Sequence, residues 1–271
     1  MSFQSVISTL DDEGRNVMGP ETLVYHYPTN TIVSGSLLTV ESNQLCVLKS
    51  RGAILNVYEM GQWPITTGDK PLIGSIAQGF FGGQSPWQYQ AIYINSAKLV
   101  GASRGTATSS EMAELSYEVD YYIHVVNKEG ALKLVQHMPY AGHVLNMPAL
   151  DKYIKPVIEQ AINKIVQVTK LEEINEKITA IRDEVHAELQ VFLGEYGITL
   201  DNAKVVIAPA DERMRTIISL KALGLSEIDA VRHYIAIIMA ERGVVSAPNM
   251  AAGMPFNVGG GNISDLPLGT R

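Results

Sequence analysis

The spacing of apolar residues changes once along this chain, and that change limits the fold more than any other feature of the sequence. From residue 114 to 126, apolar side chains occupy every second position, which is the period of a strand with one buried face. After Pro148 they recur every three to four residues, which is the period of a helix. Strands in one part of a chain and helices in another predict an α+β fold.

Two long helices are expected in the second half. One begins near Leu150 and runs to about residue 169, and the next ends at Gly197, because glycine readily takes the left-handed conformation that stops a helix. The second helix has an apolar stripe at near-heptad spacing, which is typical of a coiled coil or of a helix that needs a partner surface. We interpret the stripe as an oligomer interface, with packing on the subunit's own sheet as the alternative. Its candidate interface residues are Ile174, Ile178, Ile181, Val185 and Leu189.

A strand and two shorter helices complete the second half. Residues 198–208 have strand character and end at Pro209, which cannot donate to a sheet. Helical segments are expected at residues 211–223 and 226–241, with a turn at Gly224. Ser226 and Asp229 have the spacing of a capping box, which favours a new helix after that turn. This region is therefore predicted to form a C-terminal helical arm.

The first half is rich in short strands. Runs of β-branched and aromatic residues separated by Gly, Pro and Asn predict a series of small strands. These strands are expected at residues 37–40, 45–49, 54–58, 63–67 and 88–94. The glycines and aromatic residues at 79–87 predict a structured loop before the last of them.

The N-terminal residues suggest a short amphipathic helix. Its apolar stripe consists of Phe3, Val6, Ile7 and Leu10. The spacing i, i+3, i+4 and i+7 places all four on one helix face, which must dock on a membrane, on the same domain or on a neighbouring subunit. Three acidic residues follow at 11–13, whereas helices that lie on membranes usually carry Lys and Arg on their polar face.

These segments divide the 271 residues into four parts. Residues 1–19 are expected to form the short helix and a linker, and residues 20–210 one α+β domain. The helical arm covers residues 211–243, and a flexible tail rich in Gly, Pro, Ala and Asn covers residues 244–271.

Composition excludes some partners and favours others. The formal net charge of −7 and the lack of a basic stripe argue against nucleic-acid binding. Charged residues are only 18% of the chain and hydrophobic residues 46%, so part of the apolar surplus is expected to lie in contacts between subunits. The single cysteine, Cys46, cannot form an intrachain disulfide. With no signal-peptide pattern and no spanning apolar window, we expect a cytoplasmic protein.

The familiar motifs of enzymes are missing from the sequence. There is no Walker A motif, no Gly-x-Ser-x-Gly around Ser85 and no HExxH. His137 and His143 could meet across a loop, but loop histidines are more often solvated than metal-bound. The carboxylates between 172 and 188 occupy the polar side of the long helix, where ion pairs with Lys and Arg are expected. We therefore predict no catalytic, cofactor-binding or metal-binding residues.

Several short blocks, in the same order, resemble the SPFH (band 7, prohibitin-like) superfamily and its virion-core-protein-like soluble branch. The blocks are Gly35 to Val40, Asn43 to Leu48, Arg51 to Ala53, Gly61 to Thr67, Pro71 to Ile73, Phe81 to Pro86 and Ala91 to Asn95. The long helix ending in Phe192 to Ile198 agrees with the plan of the superfamily, and the resemblance covers about residues 20–210.

The resemblance implies a curved mixed sheet flanked by helices and continued by a helical arm. It also implies a non-enzymatic homo-oligomeric scaffold, in the form of a ring, a cage or a membrane-associated platform that organises partner proteins or a membrane patch. One alternative is a symmetric, virion-like shell without a membrane. Another is a hydrolase with an unfamiliar site near His137 and His143. The chain lacks the hydrophobic anchor of stomatin-like and prohibitin-like relatives, so its location is expected to be cytoplasmic, with peripheral contact at the inner face of a membrane as a further option.

Overall fold

A computed structural model shows the fold. It describes residues 6–11, 13–28, 32, 35–50, 52–65, 89–139 and 142–241. The chain divides into two compact units, residues 1–210 and residues 211–271. The predicted loop at 79–87, Ser85, Phe3 and the predicted tail lie outside the described residues.

The first unit is a mixed α+β domain, as predicted. Its strands are β1 (Val6–Ile7), β2 (Thr22–His26), β3 (Leu37–Val40), β4 (Gln44–Ser50), β5 (Ala53–Tyr58), β6 (Gly61–Pro64), β7 (Tyr89–Asn95), β8 (Leu99–Thr108), β9 (Glu114–His124), β10 (Val144–Asn146) and β11 (Thr199–Pro209). Its helices are α1 (Lys128–His137), α2 (Met147–Val166), a 3-10 turn (Leu171–Glu173) and α3 (Ile174–Glu195). The second unit contains α4 (Glu212–Ala222) and α5 (Glu227–Glu241).

The described strands form three sheets. The largest has the order β10-β2-β7-β4-β5 and is antiparallel throughout. A second, β11-β9-β8, is also antiparallel, while in the third, β1-β3-β6, the β1–β3 pair is parallel. α2 packs on β8, and α3 packs on β11 and on α2, so two helices cover the β11-β9-β8 sheet. A continuous hydrophobic core includes residues of this sheet, of the five-stranded sheet and of α1, α2 and α3.

The alternation predicted for residues 114–126 appears in β9. Its odd-numbered residues from Leu115 to Ile123 are buried, and Val125 just beyond it is buried as well. Two of these residues, Tyr117 and Tyr121, lie opposite Gly105 and Gly101 of β8. A Cβ atom on either glycine would overlap the facing tyrosine ring. The aromatic rings therefore occupy the space that side chains on β8 would otherwise fill.

Replacing Gly101 by alanine is expected to lower the free energy of unfolding by about 2 kcal/mol, because the new methyl group would displace the packed ring of Tyr121. Chemical denaturation of the wild type and the variant measures the change. In a Tyr121→Leu background, which removes the ring, the same substitution should lower the free energy of unfolding by a smaller amount. An equal cost in both backgrounds would contradict this explanation, as a double-mutant cycle would show.

Helix ends follow the signals in the sequence. The Asn127 and Asn146 side chains accept hydrogen bonds from the backbone N–H of Gly130 and of Ala149, both at 2.9 Å, and so cap α1 and α2. α3 ends before Gly197, whose φ of +73° is the left-handed conformation expected there. Gly224, with φ of +90°, lies in the turn between α4 and α5.

The predicted N-terminal helix is wrong where the structure describes this segment. Val6 and Ile7 form β1, which pairs in parallel with β3. The hydroxyl of Tyr93 lies 3.0 Å from the carbonyl oxygen of Ile7, and the side-chain amide of Gln44 donates to the hydroxyl of Thr9 at 3.0 Å. Pairing and buried hydrogen bonds with distant residues stabilise an extended chain here, although the local spacing favours a helix.

Candidate functional site

The apolar stripe of α3, predicted as an oligomer interface, lies inside the subunit. Ile181, Val185 and Leu189 are fully buried, and Ile174 is almost so. Ile178 is half-buried and packs against the same core. Because β11 and α2 already supply the partner surface, the four buried residues are not available to a neighbour, and the interface prediction is wrong for them. For the half-buried Ile178 it stays a prediction. The alternative interpretation, that the stripe covers the subunit's own sheet, describes the structure.

The N-terminal residues predicted to dock on a membrane or a partner do not form one surface. Ile7 is 1% exposed and belongs to the smaller core, whereas Val6 is 58% exposed and Leu10 is 46% exposed. Side chains alternate between the two faces of a strand, so Val6 and Ile7 point to opposite sides of β1. The predicted docking stripe is therefore wrong for Ile7, which packs within its own domain, and docking stays a prediction for Val6 and Leu10.

The clearest exposed apolar surface of the second unit lies on α5. Ile228, Val231 and Ile235 are 67%, 38% and 46% exposed, and we call these three residues the hairpin face. Successive residues turn about 100° around a helix, so the three side chains lie within about 60° of one another. Ala230 and Ala236, elsewhere on the helix, are buried. The sequence predicts this helix, and the 3,4 spacing of the three residues was the signal that could have identified the face.

The start of α5 is fixed by local polar contacts. The backbone N–H of Asp229 donates to the hydroxyl of Ser226 at 3.2 Å, and that hydroxyl donates to the Asp229 carboxylate at 2.7 Å. Arg232 lies 3.6 Å from the same carboxylate. The Ser226 hydroxyl caps the helix as one half of a capping box does, while the Asp229 carboxylate accepts from that hydroxyl. The hairpin face therefore belongs to a helix with a defined beginning.

The structure does not bring His137 and His143 together. His143 faces His26 instead, with 3.4 Å between their Nδ1 atoms. The backbone N–H of His26 also donates to the carbonyl oxygen of His143 at 2.6 Å. His137 lines an open pocket of about 370 Å³ with Glu195 and Tyr196. Sequence reasoning missed His26 because 117 positions separate it from its partner.

A second open pocket, of about 360 Å³, lies between the start of β8 and the start of α2. Glu21, Asp151, Met147, Pro148 and residues 100–102 line it. The hydroxyl of Tyr121 donates to the Asp151 carboxylate at 3.2 Å. Burial raises the pKa of Tyr121, and the negative charge of Asp151 raises it further. A tyrosine held in its protonated form acts here as a hydrogen-bond donor that joins the sheet to the helix, rather than as a base.

Other polar contacts of the described residues join neighbouring elements of the first unit. No group of three or more His, Cys, Asp and Glu that could hold a metal ion occurs among them. Glu184 and Glu188 of α3 form ion pairs with Lys164 of α2, as expected for carboxylates on a solvated helix face. His124 lies 2.9 Å from the carboxylate of Asp201, the residue at which β11 bulges away from β9.

The match to a known family decides the class of the protein. Residues 38–222 match the profile of the SPFH domain / Band 7 family, which is more than half of the 271 residues. The chain belongs to this family. The predicted superfamily is thus confirmed, while its virion-core-like branch stays a prediction. Comparison with curated proteins gave no significant match.

The SPFH match begins in β3 and ends with α4, so the hairpin face on α5 lies beyond it. Members of the SPFH family are often membrane-associated scaffolds and are generally non-enzymatic. Among the helices that the structure describes, none is long and apolar enough to cross a membrane.

Proposed function

We propose that this SPFH protein is a non-enzymatic subunit of a homo-oligomeric scaffold that organises partner proteins or a membrane patch. Ring, cage and membrane-associated platform are the forms that such a scaffold would take. The observation that carries the proposal is the hairpin face, three β-branched residues exposed side by side on α5. The family supports the absence of catalysis and the scaffolding role.

The hairpin face favours association with a second copy of this chain. Burying a Val or Ile side chain contributes about 1.5–3 kcal/mol, and these three are only partly covered in the subunit. Every copy presents the same face. A contact of this face with its own copy would close at a dimer, so a ring or cage requires the face to meet a different surface of the neighbouring copy. Because the α3 stripe is already buried, the hairpin face replaces it as the proposed site of self-association.

A charge on the hairpin face is expected to break the assembly. Ile235→Glu would place a carboxylate on the hairpin face, where its desolvation opposes association. Light scattering after size exclusion should show a particle many times the 29.5 kDa subunit for the wild type and a mass near 29.5 kDa for the variant. His233→Glu, an exposed position on the opposite side of α5, is the matched control and should keep the wild-type mass.

Two outcomes would contradict the proposal. One is a wild type that elutes as a monomer at micromolar concentration, and the other is a mass that changes equally in Ile235→Glu and His233→Glu. Circular dichroism of both variants shows whether α5 remains helical. Flotation with anionic lipid vesicles then separates two forms of the scaffold, because a platform would float with the vesicles and a shell without a membrane would not.

A further inference from the structure

His26 and His143 form a contact that the proposed scaffold does not use. His26 is the last residue of β2, and His143 immediately precedes β10, the edge strand that pairs with β2. The backbone N–H of His26 donates to the carbonyl oxygen of His143 at 2.6 Å, so the main chains are joined at the same place as the side chains. Both rings can exchange protons with solvent, because His143 is exposed and His26 is half-buried.

The geometry of the two imidazole rings leaves room for one proton between them. Their planes differ by 8° and their centres are 5.6 Å apart, whereas the two Nδ1 atoms are only 3.4 Å apart, so these nitrogens face each other. A proton on one Nδ1 points at the lone pair of the other and forms a hydrogen bond. Protons on both would stand about 1.4 Å apart, since each N–H bond is about 1.0 Å long, and this is far inside their contact distance.

The charge of the pair decides which of these arrangements is present. A neutral imidazole carries one proton, on either nitrogen, so two neutral rings can take tautomers that place a single proton between the Nδ1 atoms. One charged and one neutral ring keep the same hydrogen bond and strengthen it, because its donor is then a cation. Two charged rings each carry a proton on Nδ1, so the second charge removes the hydrogen bond and adds repulsion between two cations.

We propose that His26 and His143 form a pH-sensitive latch at the edge of the five-stranded sheet. The latch holds the chain that enters β10 against the end of β2 while at most one ring is charged, and it opens when both rings are charged. This inference does not depend on the proposed scaffold, because it concerns contacts inside one subunit.

The groups around His26 oppose a second charge on the closed latch. Burial lowers the pKa of His26, and the positive charges of His143 and Lys49 lower it further. β7 places the uncharged Ile92 opposite His26, and β10 begins with the apolar Val144.

α1, the helix that packs on β4, does not change this balance. None of its titratable groups is among those that shift the pKa of His26; they are Lys128, Glu129, Lys133 and His137. No described carboxylate acts on His26 either, so nothing offsets a second positive charge while the latch is closed.

The part of the chain that would move is short. Gly142, with φ of +86°, precedes His143 and can absorb a change in backbone direction. Beyond the latch, Leu145 is fully buried, and the backbone N–H of Met147 donates to the carbonyl oxygen of Glu21 at 2.8 Å. Opening therefore frees the chain at His143 and the end of β2, while the rest of β10 and the start of α2 stay in place.

Acid is the direction that opens the latch. The closed pair binds its second proton less readily than two separate histidines do, so opening takes up a proton. The contact is therefore complete above the ordinary histidine pKa of about 6.5 and is lost as the pH falls below that value.

Hydrogen–deuterium exchange of the full-length protein, resolved to the amide of His26, tests the latch. Corrected for the intrinsic effect of pH on exchange, the protection of this amide in the wild type should fall about fivefold or more between about pH 7.5 and about pH 5. His143→Asn keeps an amide oxygen near the position of Nδ1 but cannot become charged, so its His26 amide should be equally protected at both pH values. Lys49→Gln removes a positive charge that opposes the second proton, and its loss of protection should begin at a higher pH.

The control and the contradicting outcomes are specific to the pair. His186→Asn, at a histidine of α3 outside the latch, should keep the pH dependence of the wild type. Unchanged protection of the His26 amide in the wild type would overturn the proposal, and so would a pH dependence that persists in His143→Asn. An equal loss of protection at the amides of β4 and β7 would overturn it too, because acid unfolding of the whole domain explains that result.

Discussion

Replacing Gly197 by alanine is expected to lower the free energy of unfolding by about 4 kcal/mol. The left-handed conformation of this residue costs alanine about 1–2 kcal/mol, and the rest comes from overpacking. The new Cβ would overlap the backbone of Gly130, with the Cα of that residue at 2.7 Å. Backbone atoms cannot rotate away as a side chain can, so the start of α1 and the end of α3 would have to separate.

Thermal and chemical denaturation measure the effect of this substitution. For a domain of this size, a change of about 4 kcal/mol corresponds to a fall in melting temperature of about 10 °C. Gly194→Ala is the matched control. Gly194 lies in α3, three residues before Gly197, and a Cβ added there has no atom within 4 Å. That variant should be as stable as the wild type or slightly more stable, since alanine favours a helix over glycine. Equal melting temperatures for the two variants would contradict the proposed role of the close contact.

Truncating Ile181 to alanine is expected to cost about 3–4 kcal/mol. The side chain is fully buried in the core of the subunit, and removing it would lose hydrophobic burial and leave a cavity. Denaturant unfolding at low protein concentration measures the loss. An interface residue would behave differently, because its truncation would reduce the mass of the assembly and leave the isolated subunit as stable as before.

Val191→Ala is the control for Ile181→Ala. Val191 lies on the same helix but is 68% exposed, so its truncation should change the stability by less than about 0.5 kcal/mol. If both variants lose equal stability, burial cannot be the reason for the effect. If Ile181→Ala is as stable as the wild type but forms smaller particles, the position of α3 in the core is wrong.

Local sequence signals were sufficient to predict a helix or strand where apolar side chains recur with a clear period. The strand with buried residues from Leu115 to Ile123 and the long helix that stops before Gly197 both agree with the sequence. β8 was missed, since its inward side carries Gly101, Ser103 and Gly105, and small residues give no apolar alternation. Two of these residues are glycine because tyrosine rings from β9 occupy the space of their side chains. The sequence of β8 alone cannot show this contact.

The surroundings of the predicted site residues depend on distant parts of the chain more than the positions of the helices and strands do. Periodicity indicates that the face of α3 with Ile181 is buried, but not whether β11 or another subunit buries it. For β1, helical spacing and strand pairing both fit Val6 and Ile7, and only the pairing with β3 decides between them. The contact of His26 with His143 has no local signature, because the two residues meet through the pairing of β10 with β2.

The position of β9 between β8 and β11 affects how the chain can be made. β8 and β9 are neighbours in sequence and can form a hairpin soon after both leave the ribosome, whereas β11 follows only after residues 125–198. Until then the second edge of β9 has no partner. The inward face with Tyr117 and Tyr121 stays uncovered until α2 and α3 have been synthesised. The growing chain therefore exposes a pairing edge and an apolar surface together, a state in which nascent proteins are most prone to aggregate and to need a chaperone.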